Sequence, residues 1–393
     1  MIAPQPFFTP RGTPLSVYYR LLALSELGHT VDLMTWPAGR NIAIPNVHII
    51  RPPALSFIKT VKAGPSLTKL FLDMVLFPMA FFRAARNPGR YHCLFVHEEA
   101  VAAGLVMKKV FGIPLIYDMH SSLAAQFESF DYANLAPIKR LFALLEKAAL
   151  ARADCVLTIC PDLDQRVRAA GCDRAVLIPN FRLDPVPEPR ATFPMPAAFS
   201  RAQAFAKKAP DETLLFYGGT LEPYQGIDLM LEAFKIIAAK NRRVKLLVVG
   251  GTANQVQKVK SNSHPLLQNG RLFFTGTLNP GAAADLMAQA DILLSPRTRG
   301  TNTPLKLYAY MASGIPLVAT RIYSHTQELD ADHAFLADPT PDAFAAAIAR
   351  CMADRDEAGQ KAKNARALYE RKFGPDRYRR QIESALLLLD NGD

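Results

Sequence analysis

The chain has one tryptophan and five cysteines in 393 residues. Those cysteines (Cys93, Cys155, Cys160, Cys172, Cys351) are odd in number and sit mostly in apolar, strand-like contexts. No paired Cys pattern of the zinc-binding kind occurs, so reduced thiols in the cytosol are expected, not a disulfide framework. Repeats and low-complexity tracts are absent, which excludes solenoids and disordered scaffolds. There is no GxGxxG and no phosphate-loop Lys-Ser/Thr, so dinucleotide and ATP readings are weak. No signal-peptide pattern opens the chain. Met1 to Pro4 reads as the tail of a first strand, so a native start a few residues upstream is expected.

Half the residues are hydrophobic, enough for two full cores. Lys plus Arg outnumber Asp plus Glu by 46 to 35, a net charge of +11. That excess fits acidic partners such as a nucleoside diphosphate or anionic lipid. No basic stripe interleaved with aromatics and no helix-turn-helix signature appears, so nucleic acid is not expected.

Short apolar strands alternate with helical stretches along the chain. Val31–Trp36, Val47–Arg51, Leu94–His97, Leu115–Met119, Cys155–Ile159 and Val176–Pro179 are expected strands, after a helix over Leu15–Leu27. From Asp184 to Pro196 there are five prolines in 13 residues, which reads as a stiff interdomain linker. The alternation then restarts with Leu214–Tyr217, a helix Ile227–Ala239, Lys245–Val249, Leu272–Thr275, Ile292–Leu294 and Leu317–Thr320. This rhythm predicts an α/β chain of two doubly wound domains, 1–183 and 197–375, with a cleft between them. A final helix is expected over 376–393.

The densest polar stretch lies between the last two of these strands. Arg297, Arg299, Gly300, Thr301, Asn302 and Thr303 precede Pro304, which opens a helix that Gly314 closes. Ligands of open α/β sheets bind outside the carboxyl ends of strands, and helix N-termini attract anions. With Lys306, this loop predicts a phosphate-bearing ligand; its plainer reading is a solvated loop with capping threonines. Gly219 and Thr220, after an expected strand and before Gln225, would let backbone approach a phosphate, although such glycines are more often just a turn. In the first domain His97, Glu98 and Glu99, and Asp118, His120 and Ser121, fall at strand ends. They are expected to line the same cleft, meeting sugar hydroxyls or moving protons. A metal is not expected, because no His/Cys cluster is evident.

The stretch Leu67–Phe82, interrupted by Asp73 and Pro78, is too short and broken to predict a membrane span. Lys59, Lys62, Lys69, Arg83, Arg86 and Arg90 flank it. A basic helix within 59–90 is expected either to bury itself on the first sheet or to lie on an anionic membrane surface, and one face can do each.

Three features together resemble the family 4 retaining glycosyltransferases of the GT-B fold. They are Arg11-Gly12-Thr13, Gly218-Gly219-Thr220-Leu221, and the run Lys306-Leu307-Tyr308-Ala309-Tyr310-Met311-Ala312-Ser313-Gly314-Ile315-Pro316. The resemblance implies two Rossmann-like domains facing each other across a cleft, with the last helix returning to the first. It implies sugar transfer from a nucleotide-diphosphate donor on the second domain to a glycan or lipid-linked acceptor on the first. No cofactor or metal is implied. His120 matches the histidine near the donor sugar, and Gly12 the loop near the diphosphate. The match is partial. Thr301 and Ala309 stand where the family has paired glutamates, and Thr220 and Gln225 where it has Arg and Lys. An active, divergent enzyme would then use Arg297 and Lys306 on the leaving diphosphate. Gly12, Thr13, Gly219, Thr220, Gln225, Arg299, Thr301, Asn302 and Thr303 would bind the donor, and His97, Glu98, Glu99, Asp118 and Ser121 would face the acceptor. The alternatives are an inactive homologue serving as a partner subunit, or a nucleotide-sugar epimerase. A cytoplasmic protein, at the inner face of the membrane, is the expected setting.

Overall fold

A computed structural model describes residues 1–8, 12–53, 67–87, 89–123, 136–179, 197–261 and 270–390. Arg11, Lys59, Lys62 and the proline-rich stretch 184–196 lie outside the described residues. The chain divides into two compact units. The first comprises Met1–Arg182 with Pro375–Asp393, and the second Leu183–Gly374.

Among the described residues the first unit holds seven strands: β1 (Ile2–Ala3), β2 (Val31–Thr35), β3 (Val47–Ile50), β4 (Leu94–His97), β5 (Leu115–Met119), β6 (Cys155–Thr158) and β7 (Ala175–Leu177). They lie in the order β3-β2-β1-β4-β5-β6-β7, and all of the pairings are parallel. The second unit holds β8 (Thr213–Gly218), β9 (Val244–Val249), β10 (Leu272–Phe274), β11 (Ile292–Ser295), β12 (Leu317–Thr320) and β13 (Phe335–Ala337). Their order, β10-β9-β8-β11-β12-β13, repeats that of the first sheet, again in parallel. Both units are therefore Rossmann-like.

Central strands such as β4, β5, β6, β11 and β12 are buried along their whole length. Helices cover both faces of such sheets, which is why these strands are mainly apolar, with polar residues such as Asp118 and Ser295 only near their carboxyl ends. The order reverses between β1 and β4 in one unit and between β8 and β11 in the other. Those are the switch points where α/β sheets open a crevice for ligands.

The helix Leu305–Ser313 begins just after Pro304, its N-cap residue, and ends at Gly314 with φ of 70°. The sequence pattern left several elements unnamed, among them β13 and the helices Pro341–Ala353 and Arg355–Phe373. The last helix, Pro375–Asp390, belongs to the first unit. Among the described residues no helix is long and apolar enough to cross a membrane.

Candidate functional site

In the second unit the strand ends of β8 and β11 meet the start of the helix Leu305–Ser313. Lys306 is placed there with its stem partly exposed and its ammonium nitrogen fully covered. That nitrogen sits 3.9 Å from the centre of the Tyr217 ring and has no hydrogen-bond acceptor. Burial, and next to it the charge of Arg297, push its pKa well below the ordinary lysine value. Two further buried polar atoms lack partners, Gln225 Oε1 on the loop after β8 and Thr303 Oγ1 just before the helix Leu305–Ser313. Native interiors leave few such atoms bare, so one on predicted catalytic Lys306 and two on the predicted donor-binding residues Gln225 and Thr303 fit a place built for a polar ligand.

The backbone around them is tightly specified. Gly219 has φ of 150°, and a Cβ there would lie 3.4 Å from Lys306 Nζ. Gly226, with φ of 73°, passes so close to the Pro296 carbonyl that a Cβ would sit 1.9 Å from its oxygen. Thr298 N–H donates to Tyr224 O at 2.9 Å, tying the β8 loop to the β11 loop. The Tyr310 hydroxyl accepts from Gly218 N–H at 2.8 Å, fixing the glycine turn to the helix.

Arg297, expected to stabilise the departing diphosphate, is also bonded within its own loop. Its Nε donates to Arg299 O at 2.6 Å and its Nη1 to Asn302 O at 3.1 Å, while Tyr224 lies under the guanidinium. The side chain thus shapes the loop as well as charging it. Arg299, Thr301, Gly219 and Thr220 are exposed, Asn302 is half-buried, and Thr301 O accepts from Gln327 Nε2. Behind the loop, His325 Nε2 meets Ser295 Oγ at 2.8 Å and His325 Nδ1 donates to Thr320 O at 2.8 Å. Thr320 Oγ1 in turn donates to Arg297 O. Burial takes His325 down to about 4, so it is a neutral strut.

In the first unit the sequence pattern missed the central partner. Arg20, on the helix Gly12–Glu26, is fully buried and forks onto Asp118, with Nε 3.0 Å from Oδ2 and Nη2 3.3 Å from Oδ1. It also donates to Ile178 O at 3.1 Å and to the Tyr378 hydroxyl of the last helix. Its signal was a lone arginine inside the apolar run Leu15–Leu24, because a buried cation needs a buried anion.

Asp118 Oδ2 lies 3.3 Å from His97 Nδ1 and 3.4 Å from His120 Nε2. Burial alone would raise the Asp118 pKa, but Arg20, and after it His120 and His97, hold it below the usual carboxylate range. Burial takes His97 down to about 3. His97 and Asp118 were expected to face an acceptor. They are instead covered, at 1% and 0% exposure, and pack against His120, which is itself only 4% exposed. His97, Asp118 and His120 also bring three ligand-type atoms within 4.8 Å of one another, a grouping the sequence reading did not anticipate. Arg20 engages both Asp118 oxygens, so the guanidinium already supplies the positive charge a metal ion would bring.

Glu98 takes φ of 49°, a left-handed conformation rare for a side-chain-bearing residue, at the switch-point end of β4. Its carboxylate oxygens each lie 3.4 Å from Ser121 Oγ. Glu99 is half-buried and its pKa is raised by burial. Thr13 is half-buried in the first turn of the helix that Gly12 opens.

Comparison with known proteins bears on the two-unit fold. A "Glycosyl transferase 4-like domain" model matches residues 16–180 and a "Glycosyl transferases group 1" model matches residues 200–368. The phosphatidyl-myo-inositol mannosyltransferase of Mycobacterium tuberculosis is 25% identical over 364 residues, covering 89% of this chain and 85% of that one. Among solved structures, sucrose-phosphate synthase from Thermosynechococcus elongatus superposes with a TM-score of 0.76 at 19% identity, covering 100% of this chain and 99% of that one. HepE from Anabaena, in complex with UDP, gives 0.69 at 17% identity, with 98% of both chains covered. With a glycosyltransferase model on each unit and this fold over the full length, the chain belongs among the glycosyltransferases of the GT-B fold.

Proposed function

We propose that this protein transfers a sugar, with retention at the anomeric carbon, from a nucleoside-diphosphate donor to a glycan or lipid-linked acceptor. One observation carries the reading: the buried Lys306 ammonium nitrogen lacks an acceptor, beside the switch-point glycine Gly219. A covered cation without a counter-ion is unfavourable, and a bound diphosphate relieves it. Gly219 leaves room for that anion to approach the backbone, and the start of the helix Leu305–Ser313 favours it.

In the transfer step, the bond between the anomeric carbon and the diphosphate oxygen breaks. Negative charge grows on the departing diphosphate, where Lys306 stabilises it and the loop held by Arg297 surrounds it. The acceptor hydroxyl attacks the same face and passes its proton to the leaving phosphate. His120, held by Asp118 and Arg20, orients the sugar. The protein's own cations serve the leaving group, so the reaction is expected to run without a divalent ion. Thr301 and Asn302, in place of the usual acidic side chain, meet donor hydroxyls.

Two likenesses support a nucleotide sugar as donor. The relatives matched over most of the chain are named as mannosyltransferases, and HepE has been solved with UDP and with UDP-glucose. A thermal-shift and calorimetric screen of UDP, GDP, ADP and their sugars, with chelator present, tests the reading. Binding of one nucleotide family, lost in Lys306→Met, is expected. No binding by any of them to folded protein overturns it.

A further inference from the structure

The helix Leu67–Arg86 is apolar on two opposite faces. Leu72, Leu76, Ala80 and Ala84 face the core of the first unit. On the other side Leu67, Leu70, Phe71, Met74 and Phe82 follow helical spacing and point outward. Leu67 is 85% exposed, Met74 67% and Phe82 62%. A helix that only packs on a sheet would carry polar residues there.

Neither neighbour covers this stripe. The helices Val101–Phe111 and Ala136–Arg152 pack consecutively beside it and feed the same core. Phe81 and Phe111 join the first two, with ring centres 5.0 Å apart. Both neighbours repeat the outward apolar pattern, with Val106 and Val110 on one and Leu141 and Leu144 on the other. The three helices therefore form one layer whose outer side carries nine exposed large apolar residues. Contiguous exposed apolar surface of this kind marks an interaction site.

Charge names the partner. Arg86, Lys109, Arg140 and Lys147 are exposed on the same three helices. Their acids are already committed inward. Asp73 is buried and accepts from Trp36 Nε1 at 2.9 Å, and Glu146 accepts from Leu123 N–H at 2.6 Å and from Ser122 Oγ at 3.2 Å. What remains outside, among the described residues, is apolar side chains among cations with no ion pair to an acid. Anionic phospholipid headgroups over an acyl layer match that combination, and no helix here is built to cross the layer.

We propose that the outer side of this three-helix layer docks flat on an anionic phospholipid bilayer. Met74, Phe71 and Phe82 enter the boundary of the acyl region, while Arg86, Lys109, Arg140 and Lys147 meet headgroup phosphates. The sequence alone singled out the basic stretch 59–90. Extending the surface to Val106, Val110, Leu141 and Leu144 depends on the tertiary packing. The proposal stands independently of the donor reading, since docking needs no nucleotide.

Vesicle co-sedimentation of the full chain, without nucleotide, tests it. Binding to phosphatidylglycerol–phosphatidylcholine vesicles is expected, with little to phosphatidylcholine alone. Met74→Asp with Phe82→Asp is expected to weaken binding by about tenfold or more, and Lys109→Glu with Lys147→Glu by about as much. All four positions are exposed, so unchanged circular dichroism and thermal midpoint are expected to accompany the loss. Absence of binding to anionic vesicles, or full binding by both double variants, overturns the proposal. A dimer that Met74→Asp dissociates, in protein that ignores vesicles, assigns the face to a second copy and also overturns it.

Discussion

The Lys306 ammonium nitrogen lies 3.9 Å above the Tyr217 ring, buried and without an acceptor. The ring face attracts the cation but cannot replace its lost hydration. This residue therefore costs the empty protein stability and gives it a site. Replacing it with the apolar, similarly shaped methionine separates the two effects. Lys306→Met is expected to raise the thermal midpoint by about a few degrees while abolishing nucleotide-diphosphate binding. Calorimetry with and without nucleotide checks both signs, and a lowered midpoint in the free variant would sink the account.

Proton uptake provides a second check. Burial depresses the Lys306 pKa in the free protein, and a bound diphosphate would raise it again. Binding is then expected to take up protons, so affinity falls as pH rises towards the bound-state pKa. Titrations in buffers of different ionisation enthalpy measure the uptake directly. Proton release on binding is the result that contradicts the assignment.

The Arg20–Asp118 pair predicts a different kind of coupling. Removing only the cation leaves a buried carboxylate uncompensated, at a cost of about 3–5 kcal/mol. Arg20→Met is expected to lose that much in urea unfolding, and Arg20→Met with Asp118→Asn distinctly less. Tyr378→Phe removes one bond from the last helix and is expected to cost about 1 kcal/mol. Equal losses in the single and double Arg20 variants would show that charge compensation is not what the pair supplies.

Two buried groups in the first unit drive stability in opposite directions with pH. His97 is held down to about 3 by burial, so it is neutral in the fold and protonates more readily when unfolded. Its stabilising effect is complete above its ordinary unfolded pKa and is lost as pH falls towards 3. Asp73 is pushed up to about 8 by burial and by Glu99, against the Trp36 hydrogen bond. It holds a proton the unfolded chain releases, so its effect is lost as pH rises towards 8. Asp73→Asn is thus expected to stabilise the protein more at about pH 8.5 than at about pH 5. Thermal midpoints across that range decide the sign.

The strands and helices were legible only in part. Apolar runs such as Leu94–His97, Leu115–Met119 and Leu317–Thr320 match β4, β5 and β12 residue for residue, because fully buried parallel strands are mainly apolar, with polar residues such as His97 and Asp118 only near their carboxyl ends. The helix Leu305–Ser313 was bracketed by Pro304 and Gly314 through local backbone chemistry. By contrast β13 is three residues long, too short to carry a period, and sheet pairing with β12 completes it.

What the sequence determined by itself is the local layer: strand and helix alternation, the glycine turn at Gly218–Gly219, and the polar loop before Lys306. These follow from side-chain pattern and backbone freedom within a few residues. Tertiary structure decided the rest. Arg20, Asp118 and Tyr378 are separated by 98 and 358 positions yet share one hydrogen-bond network, which no local pattern encodes. The same holds for Lys306, whose burial against Tyr217 depends on β8 and β11 pairing across the switch point. Burial and orphaned polar atoms depend on distant parts of the chain, so they appear only once the sheets have formed.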